Sequence, residues 1–386
     1  MRFKKVVGKI HLWLGLASGL IVVFLGITGC MLAFEYEIRA LAQPYWFAKE
    51  EPKPLLPPGI LKQQAEKFLD GKKANSIEYT KAGRSAVVSY YDADNFKLVF
   101  LNPYNGEVLK VKNMNRDFFR VVLNGHFYLW LPPKIGQSVV ASATLIFLIM
   151  LISGIILWWP RNKAARKQRF SVKWNAKWKR TNYDLHNVLG FYMTWVVIFI
   201  TVTGLVWGFE WFEKWVYWVS SAGKTMPAYY SPSSDKLLVG KNKMNATDTV
   251  WLHMIQKKKQ EESMIVSFAQ SADASINISI NHRPGTYYNT DNYYFDQYSG
   301  KELEGKGTYA GAFKNASGAD KIKRMNYDIH VGAVLGLPGK IMAFFASLIA
   351  ASLPVTGFYI WLGRRKKKPS SAFSEKAWKK NSLDLL

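Results

Sequence analysis

Four stretches of this chain are long and apolar enough to cross a membrane, and they constrain every other reading of it. About 20 mostly apolar residues span the hydrocarbon core, and residues 11–36, 136–159, 187–209 and 340–362 each supply such a run. Over the whole 386 residues the hydrophobic share is only 49%, an ordinary soluble value, because the apolar residues are gathered into these runs. The first, LWLGLASGLIVVFLGITGCMLAF, follows MRFKK. Its apolar part is too long for a secretory signal, and no clear small-x-small cleavage site precedes Glu35, so an uncleaved anchor is expected.

The formal charge is +25, and the placement of the basic residues gives the orientation. Arg2, Lys4, Lys5 and Lys9 precede the first run, PRNKAARKQRFSVKWNAKWKR joins the second to the third, and RRKKK (Arg364 to Lys368) follows the fourth. The positive-inside rule puts all of these on the cytoplasmic side. Both termini are then cytoplasmic, and the long segments 37–125 and 210–325 lie outside. Nucleic acid is not an expected partner, because Trp174 and Trp178 in the basic loop suit a membrane interface. Cys30 is the sole cysteine, which excludes an internal disulfide, a CxxC pair and an iron–sulfur site. No GxGxxG follows an expected strand and no P-loop is present, so a built-in flavin, nicotinamide or ATP site is not expected.

The chain reads as duplicated. His11, Gly15 and Thr28-Gly29 in the first run match His186, Gly190 and Thr203-Gly204 in the third at identical offsets. Ser153-Gly154, Trp158 and Arg161 match Thr356-Gly357, Trp361 and Arg364. Outside the membrane, LNPYNGEVL (101–109) and FDQYSGKEL (295–303) each read as strand, tight turn, strand, with Gly106 or Gly300 in the turn. A helical stretch precedes each, ILKQQAEKFLDG and TDTVWLHMIQKKK. Each half is therefore span, α+β external domain, span, and the two halves run in parallel.

Of six histidines, His11, His126, His186 and His330 stand at or just before a span. RTNYDLH (180–186) and RMNYDIH (324–330) are nearly one heptapeptide, and Lys5, Arg120, Arg180 and Arg324 each stand six residues before one of the four. Ionisable groups near a membrane interior are costly and point to function. One shared zinc site is excluded by topology. His11 and His186 belong near the cytoplasmic face and His126 and His330 near the outer face, across a core about 30 Å thick. Two pairs are natural, His11 with His186 and His126 with His330. Two imidazoles on opposite sides of a haem iron make an electron-transfer site, and the nearby basic residues would suit haem propionates or simply snorkel at the interface. Gly15, Gly19, Gly190 and Gly332 suit close helix approach or room for a flat cofactor. His253 and His282 remain unassigned.

These features resemble the PepSY-associated transmembrane proteins over nearly the whole chain, through KIHLWLGLASGL, YDLHNVLGFY, YDIHVGAVLGLPGK, the ends SGIILWWPR and TGFYIWLGR, and the external FLNPYNGEVL and YFDQYSGKEL. The resemblance implies a four-transmembrane-helix bundle of two parallel repeats, mainly α, each with a PepSY-like α+β periplasmic insert. The expected divisions are helix 1 (1–36), insert 1 (37–125), a histidine segment with helix 2 (126–160), a basic loop (161–180), helix 3 (181–209), insert 2 (210–325), helix 4 (326–363) and a basic tail (364–386). It further implies a bacterial inner-membrane reductase with two bis-histidine haem b groups ligated by His11, His126, His186 and His330. Its acceptor would be a periplasmic ferric siderophore, and its donor a quinol or a cytoplasmic reductase. The other readings are a PepSY-type regulatory or binding protein without redox activity, and a di-haem carrier serving another acceptor.

Overall fold

A computed structural model describes residues 2–160, 162, 163, 166, 169–238 and 246–365; Arg161 and Lys366 to Lys368 lie outside the described residues. The chain order is α1 (Arg2–Ala33), α2 (Glu35–Ala42), α3 (Pro58–Glu66), β1 (Ser76–Tyr79), β2 (Ala86–Tyr91), β3 (Phe96–Leu101), β4 (Val108–Asn113), α4 (Phe118–Tyr128) and α5 (Pro133–Trp158). Then come α6 (Trp178–Gly208), α7 (Glu210–Ser220), α8 (Ala246–Ile255), β5 (Ser263–Ser267), β6 (Ile276–Asn281), β7 (Thr290–Phe295), β8 (Glu302–Leu303), α9 (Gly318–Arg324), α10 (Asn326–His330) and α11 (Gly336–Arg365). Among the described residues four helices are long and apolar enough to cross a membrane, namely α1, α5, α6 and the helix ending in α11. They run longer than the apolar stretches. Because α1 begins at Arg2, His11 sits inside it, whereas His126 and His330 sit on the separate short helices α4 and α10.

Local backbone chemistry explains those separations. After α4 the chain passes through Leu129 and Trp130 at φ of 53° and 57°, and Pro132 and Pro133 cannot continue the preceding helix. After α10, Gly332 adopts a φ of 77°, and a Cβ there would stand 2.2 Å from the Gly339 carbonyl oxygen. Only glycine fits both the left-handed conformation and that contact.

The chain divides into two compact units, Met1–Ile27 with Leu145–Ile198 and Ala346–Leu386, and Thr28–Thr144 with Phe199–Phe345. In the first, parts of the four long helices pack through small residues. A Cβ on Gly15 would meet Met150 at 2.8 Å, one on Gly19 would meet Pro354 at 3.1 Å, and one on Gly26 would meet Ala351 and the Ser347 carbonyl at 2.8 Å. Gly190 similarly faces Leu353 at 3.6 Å. These glycines admit neighbouring helices, while Gly332 serves a turn. Trp158 of α5 stacks on Phe191 of α6 with centroids 3.7 Å apart.

In the second unit the two external segments share one eight-stranded antiparallel sheet, ordered β4-β3-β2-β1-β5-β6-β7-β8. The segments join at β1 and β5, where Ser76 pairs with Ser267 and Glu78 with Ile265. The two turns are built alike. Asn102 N donates to Glu107 O and Gly106 N to Asn102 O, while Asp296 N donates to Lys301 O and Gly300 N to Asp296 O. Alternation along the strands sends Ile77, Tyr79, Val88, Val99, Met264, Val266 and Ile278 to one face, where α3 and α8 cover them with Leu61, Ala65, Val250, Trp251 and Met254. Each such large apolar side chain contributes about 1.5–3 kcal/mol on burial. The other face is not packed and lines a cavity of about 1030 Å³.

A buried ionic cluster fastens α2 to the start of α4. Arg39 donates to Asp117 (Nη1–Oδ2 3.0 Å) and to Glu35 (2.7 Å), and Lys112 Nζ lies 2.6 Å from Asp117 Oδ2. Asp117 also caps α4, accepting from Arg120 N at 3.1 Å. Burial pushes the Asp117 carboxyl up, but its bonds from Arg39 and Lys112 outweigh that and hold it at about 2. A carboxylate so depressed gives its stability above the ordinary aspartate value of about 3.9 and loses it as pH falls toward the folded value. Asp117→Asn is therefore expected to lower the thermal midpoint at pH 7 and to flatten the acid loss between about pH 4 and pH 2. Thermal unfolding of both proteins across that range checks this; parallel acid profiles would contradict it.

Candidate functional site

Each of the four histidines at the spans is held through Nδ1 by a hydroxyl on another helix. In the first unit, His11 Nδ1 lies 2.8 Å from Ser153 Oγ of α5, and His186 Nδ1 lies 2.9 Å from Thr356 Oγ1 of α11. In the second, His126 Nδ1 lies 2.8 Å from Thr28 Oγ1 of α1, and His330 Nδ1 lies 3.0 Å from Thr203 Oγ1 of α6. The exchange is reciprocal in sequence. α1 carries a histidine held by α5 and a hydroxyl that holds the histidine preceding α5; α6 and α11 repeat the arrangement. The hydroxyl–glycine pairs were visible in the sequence as matched offsets, but nothing local marks them as histidine partners.

These contacts fix the imidazole tautomer. The Thr203 hydroxyl proton goes to the carbonyl of Phe199 (2.7 Å) or Ile200 (3.0 Å), so its oxygen accepts from His330 Nδ1. His330 Nδ1 also faces the Ile200 carbonyl at 2.9 Å, which can only accept. Thr356 likewise donates to Ser352 O and Leu353 O at 3.0 Å, and Ser153 to Met150 O at 3.1 Å. His186, which also bonds the Leu353 carbonyl, and His330 therefore carry their proton on Nδ1, and the Nε2 lone pair is left for a ligand. An imidazole oriented by its far nitrogen is the usual support of a metal-binding histidine.

His126 and His330 stand together, with ring centroids 6.3 Å apart and planes at 74°. Two imidazoles bound to one metal ion from opposite sides, at metal–nitrogen distances of about 2 Å, have ring centres about 6 Å apart. Among the described residues no three His, Cys, Asp or Glu side chains form a group suited to a metal ion. A pair with nothing to complete it suits a metal that brings its remaining ligands with it. His11 and His186 are near enough to interact electrostatically. Room beside three of the rings comes from the glycine following the hydroxyl. A Cβ would approach the ring Cε1 at 3.6 Å from Gly154, 3.2 Å from Gly357 and 3.4 Å from Gly204.

The shared RxNYDxH heptapeptide now has a mechanical meaning. Asn182 Nδ2 donates to Thr356 O and Asn326 Nδ2 to Thr203 O, both at 3.1 Å, so asparagine and histidine grip the same threonine. The aspartate pins a loop. Asp184 accepts from Arg180 Nε at 2.9 Å, and Asp328 accepts from the amides of Tyr287 and Tyr288 at 2.9 and 2.8 Å. Arg324 is likewise committed, donating to the carbonyls of Thr308, Thr290 and Ala310. Arg120 lies over the Phe96 ring, and Lys5 is exposed.

The cavity under the sheet reaches this region, since Tyr327 and Val331 are among its walls. Trp207 lies 5.2 Å from the His330 ring and 6.2 Å from Tyr327, whose edge meets Tyr287 at 4.8 Å. Of the other histidines, His253 is exposed on α8. His282 lies between Glu262 (2.8 Å) and Asp291 (3.0 Å). Burial lowers its pKa, but the hydrogen bonds to Asp291 and Glu262 prevail and raise it.

Removing one partner of a buried hydrogen bond costs about 1–3 kcal/mol, less where a second acceptor remains. His330 keeps the Ile200 carbonyl when Thr203 is lost. Thr28→Val should therefore destabilise the protein more than Thr203→Val, as read from denaturant midpoints in mixed micelles. The reverse order would contradict the bonding described.

The family model for the PepSY-associated TM region matches residues 9–364. No curated protein matches the chain. With the match running from before the first histidine to the end of the last apolar helix, the chain belongs to the PepSY-associated transmembrane family.

Proposed function

We propose that this protein is a di-haem reductase of the bacterial inner membrane that delivers electrons to a ferric siderophore outside the cytoplasm and releases iron as Fe(II). The observation that carries the proposal is the His126–His330 pair, with centroids 6.3 Å apart and, for His330, the Nδ1 proton fixed away from Nε2. Haem bound by each histidine pair supplies one-electron chemistry. The protein's own part is to present two neutral imidazoles at a fixed separation, to leave space through the hydroxyl–glycine pairs, and to keep the rings among packed helices. One electron converts the Fe(III) chelate to Fe(II), which hard oxygen donors hold less firmly. The reductant is a quinol or a soluble cytoplasmic reductase.

In this reading the chain is two parallel repeats, each contributing a PepSY-like insert to the shared sheet. Support comes from the matched turns at Gly106 and Gly300 and from the matched clasps of His186 and His330. The chelate's seat is the cavity of about 1030 Å³, ample for a multidentate complex and walled by tyrosines close to His330.

A reduced-minus-oxidised spectrum with haem quantification tests the cofactor, with two haems per chain expected. His126→Ala or His330→Ala should remove one haem, and His11→Ala or His186→Ala the other. Protein reduced and then freed of reductant should be reoxidised by a ferric trihydroxamate. A preparation lacking a haem band refutes the proposal, and reduced haem indifferent to ferric chelates assigns the electron to another acceptor.

A further inference from the structure

β1 runs down the middle of the eight-stranded sheet. Ile77 and Tyr79 enter the core on one face, so Ser76, Glu78 and Thr80 face the cavity on the other. Glu78 is half-buried on the cavity wall, and among the described residues its carboxylate has no hydrogen-bond or ion-pair partner. Most charges around the cavity are answered. Arg39 meets Glu35 and Asp117, Lys112 meets Asp117, Lys340 meets Glu37 at 2.8 Å, and Arg324 is spent on three carbonyls. Arg84 lies over the Phe47 and Trp46 rings, and Lys81 and Glu261 are exposed.

Glu78 has no cation of the protein to offset it, and burial alone raises its carboxyl above the ordinary value. An ionised carboxylate partly withdrawn from water is favoured when a cation meets it. The surroundings suit one. Tyr287 lies within electrostatic reach of Glu78, Glu35 and Asp328, and its ring meets Tyr327 edge-on. Tyr287, Tyr288 and Tyr327 line the same cavity as Glu78, and a carboxylate and aromatic rings in one cavity suit recognition of an ammonium group. A bare metal ion is disfavoured, because no three ligating side chains converge here among the described residues.

We propose that the part of the cavity beside Glu78 is a subsite for a positively charged organic group, an ammonium arm of the molecule that fills the cavity, with Glu78 as its counter-ion. The proposal rests on the reading of the cavity as the chelate's seat. It goes beyond that reading by giving the site a charge preference, so that chelates of equal size are told apart by one amine.

The test uses the full chain in lipid nanodiscs and two redox-inert gallium(III) complexes. One is a linear trihydroxamate ending in a primary amine, and the other is the same ligand with that amine acetylated. Titration calorimetry of the wild type should show the ammonium complex binding about tenfold tighter. In Glu78→Gln, an isosteric change that removes an unpaired charge, that ratio should fall to about one, while Glu78→Asp retains part of it. Equal affinity of the wild type for both complexes overturns the subsite and leaves the chelate seat standing. Binding of neither complex overturns both readings.

Discussion

The hydrogen bond between each imidazole Nδ1 and a helix hydroxyl is the constraint on which the rest of the structure depends. A serine or threonine in a helix ordinarily spends its proton on the carbonyl a turn earlier. Thr203 and Thr356 do so, and what remains on each oxygen is an acceptor that only an N–H can satisfy. The hydroxyl thus dictates the tautomer, and the tautomer dictates which ring edge is available for chemistry. It also dictates which helix faces meet, because α1 must turn Ser153 of α5 toward His11. The glycine after the hydroxyl completes the device. The bond draws the ring in, and the missing Cβ leaves its Cε1 edge unobstructed.

How much of this was legible in the sequence depends on whether each signal is local. The four spans were legible because hydropathy accumulates along one helix, although the helices begin earlier than the apolar runs, so that charged residues such as Lys4 and Lys5 extend α1. The strand–turn–strand units at Gly106 and Gly300 were legible for the same reason. The histidines stood out through repetition, and so did the threonine–glycine pairs. The pairing between them was not legible. His126 and Thr28 are distant in the chain, and identical offsets within spans say only that two positions are equivalent, not what each one touches. The single sheet was also hidden. An alternating strand such as SIEY fits an edge or a centre equally well, and only the pairing with β5 shows that neither segment's first strand is an edge.

Charge in the external unit follows a similar division. The carboxylates that sequence alone would treat as ordinary surface groups are mostly structural, with Asp117 joining Arg39 and Lys112 at the root of α4. Burial of such groups is tolerable because each has more than one partner. Glu78 departs from this rule. On paper it is the polar member of an alternating strand, facing solvent. In the fold that face of β1 lines a cavity, and among the described residues the Glu78 carboxylate has no hydrogen-bond or ion-pair partner on the chain.

The heptapeptide that appears twice ties these levels together. Its asparagine and histidine grip one threonine, and that grip is the same in both copies. Its aspartate reaches outward to whatever backbone lies beside that end of the span, and here the copies differ. Asp184 faces its own helix's Arg180 and the amide of Lys173 at 3.4 Å, within the basic loop. Asp328 instead accepts two amides from the β6–β7 hairpin, which also sends Arg283 to the Val334 carbonyl at 3.0 Å. The hairpin carries Tyr287, a wall of the cavity, while Asp328 stands two residues before His330. Tyr287 cannot shift its backbone without breaking bonds that position α10. One short motif therefore fixes a histidine in each unit, but only in the second does it also fasten that histidine to a wall of the cavity.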